Sequence, residues 1–93
     1  MEVRWSPAAA EDLSRICDRI QVDSPNAAVR VAKVVFGGCE RLGDFPYMGR
    51  ISRVKGRREL VFAPLPYIAV YRVSEHAVEI IRIEHGARLP PGT

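Results

Sequence analysis

From Pro7 onward, apolar side chains recur at steps of three and four: Ala9, Leu13, Ile16, Cys17 and Ile20. That spacing gathers them on one face of a helix. The chain before it, Glu2 to Trp5, alternates polar and apolar side chains as a short strand does. It ends at Ser6-Pro7, where Ser caps a helix and Pro suits the first turn. A first helix is therefore predicted over residues 7 to about 21, with Glu11 and Asp12 near the positive end of its dipole. Asp23-Ser24-Pro25-Asn26 repeats the stop and start, and Ala28, Val31, Ala32, Val35, Cys39 and Leu42 then share one face of a second helix. Joined by so short a turn, the two helices form an antiparallel hairpin. Gly37-Gly38 interrupts the second helix at roughly 1 kcal/mol per glycine relative to alanine. The pair is read as a place where that helix packs on a sheet.

The period then changes. Gly43 to Gly56 is one long connection, and connections of that length are more often functional than the elements they join. Strands are predicted at about 57 to 63, 67 to 74 and 77 to 84, separated by a Pro64/Pro66 turn and by the tight turn Ser74-Glu75-His76-Ala77. Helix pair and sheet each have an apolar face to cover, so the expected architecture is α+β. It has an N-terminal strand, the helix hairpin and a three-stranded antiparallel meander, with the helices on one face of the sheet. At 93 residues the chain is expected to form a single domain, residues 1 to 93.

Hydrophobic residues make up 47% of the chain and charged residues 27%, which argues against disorder. No apolar run approaches the roughly 20 residues that cross a bilayer. MEVRWSP lacks the order of a signal peptide, so no membrane partner and a cytoplasmic location are expected. In that reducing compartment Cys17 and Cys39, on inward helix faces, are expected to be buried thiols rather than a disulfide. Neither has the spacing of a zinc site, and no metal or other cofactor is expected.

Charge is unevenly placed. Residues 7 to 42 hold five acids and five bases, whereas residues 43 to 93 hold five acids and eight bases. Arg50, Arg53, Lys55, Arg57 and Arg58 fall within nine residues with no acid among them. Such a field suits an acidic protein segment or nucleic acid; the plainer reading is an arginine-rich solvated surface. Strand alternation groups Ile68, Val70 and Arg72 on one face, and Val78, Ile80 and Arg82 on one face of the next strand. Arg72 and Arg82, with Arg58, thus become candidates for one surface that holds a phosphate or carboxylate. The alternative is a structural ion pair from Arg72 to Glu59 or Glu84. His85, just past the last strand, is a candidate acid or base, although a lone strand-end histidine is more often structural. His76 is expected in solvent, and Tyr67 and Tyr71 in or near the core.

Trp5-Ser6-Pro7, Phe45-Pro46-Tyr47-Met48-Gly49-Arg50, Arg58-Glu59-Leu60-Val61, Pro66-Tyr67-Ile68-Ala69-Val70-Tyr71-Arg72-Val73 and Ile81-Arg82-Ile83-Glu84-His85-Gly86 stand in an order that resembles the RelE/ParE superfamily of small bacterial toxins, from Val3 to Arg88. The resemblance implies the same strand, helix pair and meander. In the ribonuclease branch, arginines on these strands bind the scissile phosphate of ribosome-bound messenger RNA, which nominates Arg58, Arg72 and Arg82, with His85 as acid or base. That branch often adds a C-terminal tyrosine or second histidine, and lysines near the first hairpin strand. Here residues 86 to 93, GARLPPGT, hold no Tyr, His, Lys or acid, and Lys55 is the one nearby lysine. The ParE branch, with a similar strand-end His-Gly, inhibits DNA gyrase by binding it and needs no catalytic dyad. The resemblance therefore implies a gyrase-directed toxin that binds its target through Arg50, Arg53, Lys55, Arg57, Arg58, Arg82, His85 and Arg88. It also implies a small acidic antitoxin that supplies most operator DNA recognition. The alternative is a RelE-like ribosome-dependent messenger RNA endonuclease.

Overall fold

The computed structural model describes residues 1 to 86. Its elements are β1 (Glu2–Trp5), α1 (Pro7–Asp23), α2 (Pro25–Arg41), β2 (Arg50–Ile51), β3 (Arg58–Val61), β4 (Tyr67–Val73) and β5 (Ala77–His85). Both helices start where the caps predict. Ser6 Oγ accepts from the Ala9 N–H at 2.9 Å, and Ser24 Oγ accepts from Ala27 at 3.1 Å. Ser24 also closes α1, its own N–H donating to the Ile20 carbonyl at 2.9 Å, so one residue ends one helix and begins the next. α1 thus runs two residues past the expected Gln21. Its first turn holds no acid: Glu11 and Asp12 lie beyond it, and Asp12 is turned inward and buried instead of serving the dipole.

The sheet has five strands in the order β1-β5-β4-β3-β2. β1 joins it, as expected, by pairing parallel with β5, and the helix hairpin is the crossover that a parallel pair requires. The other pairs are antiparallel. β2 has no counterpart among the expected strands; this two-residue strand lies inside the long connection and extends the meander. The helix layer and one sheet face enclose a core of Ala9, Val31, Val35, Cys39 and Leu42 against Phe62, Ala69, Tyr71, Val78, Ile80 and Ile83. Gly38 marks the close contact: a Cβ there would sit 2.5 Å from Phe62 Cε1, whereas one on Gly37 meets nothing. Both cysteines are free, and burial pushes the Cys39 thiol up to about 12.

One irregularity redirects the last strand. Tyr71 pairs with Ile80 but Val70 pairs with Arg82, so Ile81 is bulged out of the ladder. The alternation that would group Arg82 with Val78 and Ile80 is broken, and Ile83 takes the core position. Beside the bulge the edge of β5 is no longer covered by β1, and the start of α1 covers it. The Ser6 N–H donates to the Ile80 carbonyl at 2.9 Å, the Ser6 hydroxyl to the Ile81 carbonyl at 2.8 Å, and the Ile83 N–H to Asp12 Oδ2 at 3.0 Å.

Candidate functional site

Asp12 is a buried carboxylate on the apolar face of α1, and Arg82 meets it as a fork. Arg82 Nε donates to Oδ2 at 2.7 Å and Nη2 to Oδ1 at 2.9 Å. Burial raises the pKa of Asp12, but the Arg82 bonds, the Ile83 N–H and the Arg82 and Arg15 charges outweigh it and hold the group below the ordinary carboxylate range. Asp12 in turn pushes Arg82 up. Around the pair lies a cavity of about 310 Å³ lined by Arg15, Arg19, Tyr67, Glu84 and His85 among others. His85 packs edge-on against Tyr67, its ring centroid 5.5 Å away.

A second group of bonds fixes the connection between α2 and β3. The Tyr71 hydroxyl, fully buried, donates to the Pro46 carbonyl at 2.9 Å and accepts from the Gly49 N–H at 2.9 Å. Arg58 donates to the Gly49 carbonyl at 2.8 Å and lies over the Tyr47 ring, 4.9 Å from its centroid. Gly49 is required here, since a Cβ would come within 2.6 Å of the Tyr71 hydroxyl and 2.7 Å of the Glu59 carbonyl. Burial pushes the Tyr71 phenol up, against the Gly49 N–H and the Arg58 charge. The clamped segment presents Phe45, Tyr47, Met48, Ile51 and Val54 to solvent between its basic side chains. Tyr71→Phe leaves the buried Gly49 N–H unpaired and is expected to cost about 1 to 3 kcal/mol. The urea midpoint reads that loss, and faster protease cutting within residues 45 to 51 localises it.

The three nominated arginines are not brought together. Arg82 is held by Asp12 at the sheet edge beside α1. Arg58 faces the helix side, opposite Tyr71 in the ladder. Arg72 lies on the other face, its Nε donating to Glu79 at 2.6 Å. The ion pair expected as the alternative for Arg72 thus exists, but to Glu79 directly across the ladder; Glu59 is taken by Arg50 at 2.9 Å. Each arginine lines a different cavity. Of the other basic residues, Arg50, Arg53 and Lys55 are exposed and Arg57 half-buried, and Arg88 lies outside the described residues. Asp12 and the Tyr71 hydroxyl are the two groups that sequence reasoning missed. Asp12 carried a signal, standing three residues after Ala9 and four before Ile16, on the face otherwise reserved for apolar side chains. Among the described residues no three His, Cys, Asp or Glu side chains gather as metal ligands, and no helix is long and apolar enough to cross a membrane.

A strand, a helix hairpin and an antiparallel meander, with a basic connection clamped at the β2 edge of the sheet, define the architecture of the small RelE/ParE-type toxins. The comparisons agree. The profile described as ParE toxin of type II toxin-antitoxin system, parDE, matches residues 3–90, and the chain belongs to this family. Toxin RelE2 of Caulobacter vibrioides is 40% identical over 88 residues, covering 95% of this chain and 98% of that one. Y4kP of Sinorhizobium fredii is 40% identical over 83 residues, covering 89% and 85%. A solved structure, the chromosomal ParDE TA system from P. aeruginosa, superposes with a TM-score of 0.83 at 30% identity, over 91% of this chain and 95% of that one.

Proposed function

We propose that this ParE-family toxin acts in the cytoplasm by docking on DNA gyrase, and that a cognate antitoxin encoded beside it neutralises it and supplies most operator recognition. The observation that carries this reading is the clamped connection. Exposed Phe45, Tyr47, Met48, Ile51 and Val54 alternate with Arg50, Arg53, Lys55 and Arg57 on a segment held in place by Tyr71 and Arg58. Anchor side chains among charges on a fixed backbone are what a protein-docking surface needs. The target-binding residues are Arg50, Arg53, Lys55, Arg57 and Arg58 on this segment and, on the C-terminal strand and beyond it, Arg82, His85 and Arg88, with the affinity spread so that His85 alone is dispensable. The commitment of Arg82 to Asp12, Arg72 to Glu79 and Arg58 to carbonyls supports docking over the ribonuclease alternative, which needs donors converging on one phosphate. Induction of the toxin separates the two. Gyrase docking predicts altered plasmid supercoiling with intact transcripts, whereas cleavage at codon boundaries, read by primer extension with supercoiling unchanged, rejects it.

A further inference from the structure

On the sheet face away from the helices, the ladder sets three charged positions side by side. Arg4 of β1 pairs with Glu79 of β5, and Glu79 pairs with Arg72 of β4; Arg57, one residue before β3 and outside the ladder, lines the same cleft. With strands about 4.8 Å apart, the three positions span about 10 Å. The same residues and Lys55 line a cavity of about 690 Å³ in which, among the described residues, Glu79 is the one carboxylate against four cations. Glu79 is engaged by Arg72 at 2.6 Å, and Arg4 is tied at the rim to Glu2 at 3.1 Å. Lys55 and Arg57 bring two further positive charges to the same cleft.

We infer that this cleft takes the phosphate backbone of duplex DNA. The cations of the cleft, Arg4, Lys55, Arg57 and Arg72, offer contacts to successive phosphates, whose charge Lys and Arg neutralise whatever the base sequence. Among the described residues of the lining Trp5 is the one aromatic ring, and it is stacked on Phe36 of α2, centroids 6.0 Å apart. Single-stranded nucleic acid binds through such rings, whereas a duplex backbone needs only cations. An acidic peptide that adds a strand runs along a sheet edge, and this row crosses three strands instead. The inference extends the gyrase reading, which places the chain beside duplex DNA, but rests on residues outside the clamped connection for two of its cations, Arg4 and Arg72.

The test titrates the purified chain, without gyrase, against a labelled duplex of arbitrary sequence and reads fluorescence anisotropy between about 50 mM and 200 mM salt. The expected dissociation constant is about 10⁻⁴ to 10⁻⁶ M at physiological salt, independent of sequence. Arg4→Gln/Arg72→Gln should lower the slope of log affinity against log salt by about 1.8, that is about 0.9 for each phosphate no longer neutralised. Lys55→Gln, in an exposed turn and so without risk to the fold, should lower it by about 0.9, and Arg30→Gln on α2 should leave it unchanged. An unchanged slope in the Lys55 variant and in the folded double variant overturns the inference, as does tighter binding of single-stranded RNA or polyglutamate than of duplex. Duplex binding with the stated cation dependence upholds it whether or not the wild-type chain inhibits gyrase.

Discussion

Asp12→Ala is expected to lower stability by about 3 kcal/mol, because it removes the acceptor of the buried Ile83 N–H together with charge-assisted bonds. For a domain of this size a loss of 1 kcal/mol moves the melting temperature by about 4 to 8 °C, so the midpoint should fall by more than 10 °C. The Arg82 guanidinium is half exposed and keeps its hydration, so the loss attaches to the carboxylate and the backbone donor it serves. Asp12→Asn separates the two contributions. Its amide oxygen still accepts from Ile83, and the expected loss is roughly half as large. Thermal and urea unfolding of the three proteins measure the series, and equal stability of Asp12→Ala and wild type would refute it.

The same carboxylate sets an acid limit. Its folded pKa is depressed, chiefly by Arg82 acting against burial, below an unfolded value near 3.9. A depressed group contributes stability that is complete above the unfolded value and is lost as pH falls through the folded one. Wild-type stability should therefore decline below about pH 4, and the decline should be shallower in Asp12→Asn.

Neutralising Arg53, Lys55 and Arg57 together is expected to weaken gyrase inhibition by about 100-fold, the effect of two hot spots at about 1.4 kcal/mol each. His85→Ala should leave inhibition within about twofold, since the imidazole is packed edge-on against Tyr67 in a cavity away from the clamped segment. Supercoiling assays with dilution series give both numbers. Loss of toxicity in His85→Ala, with folding and antitoxin binding retained, would instead favour the ribonuclease reading. On that reading, removing Arg72 or Arg82 costs roughly 10² to 10³ in rate.

Both helices were legible because their ends are written locally: Ser6-Pro7 and Ser24-Pro25 hold cap and first turn within two residues. β2 was not, since Arg50 and Ile51 have no pattern of their own and are strand only because β3 lies opposite and Tyr71 holds the neighbouring backbone. The bulge at Ile81 was equally hidden. Ile80-Ile81 reads as two apolar residues in a strand, and only the demand that Ile83 enter the core and its N–H find Asp12 decides which one leaves the ladder. That single slip took Arg82 off the face of Val78 and Ile80, with which alternation grouped it, and set it opposite Val70, within reach of Asp12 at the sheet edge. The Arg72 pair failed in identity for a simpler reason: the register that selects Glu79 over Glu59 or Glu84 depends on the turn between β4 and β5.

Because β5 sits between β1 and β4, the strand that leaves the ribosome last among the described elements is the one that completes the sheet. Residues 2 to 5 wait for partners at 77 to 80, so the helix hairpin can form while the sheet stays open. The cation row needs Arg4, Glu79 and Arg72 in register, and Arg82 and Asp12 meet only across that same late strand. In time rather than in space, a nascent chain that has passed its basic loop but not yet docked β5 holds the charges of the finished protein without the Arg4–Glu79–Arg72 register or the Asp12–Arg82 pair.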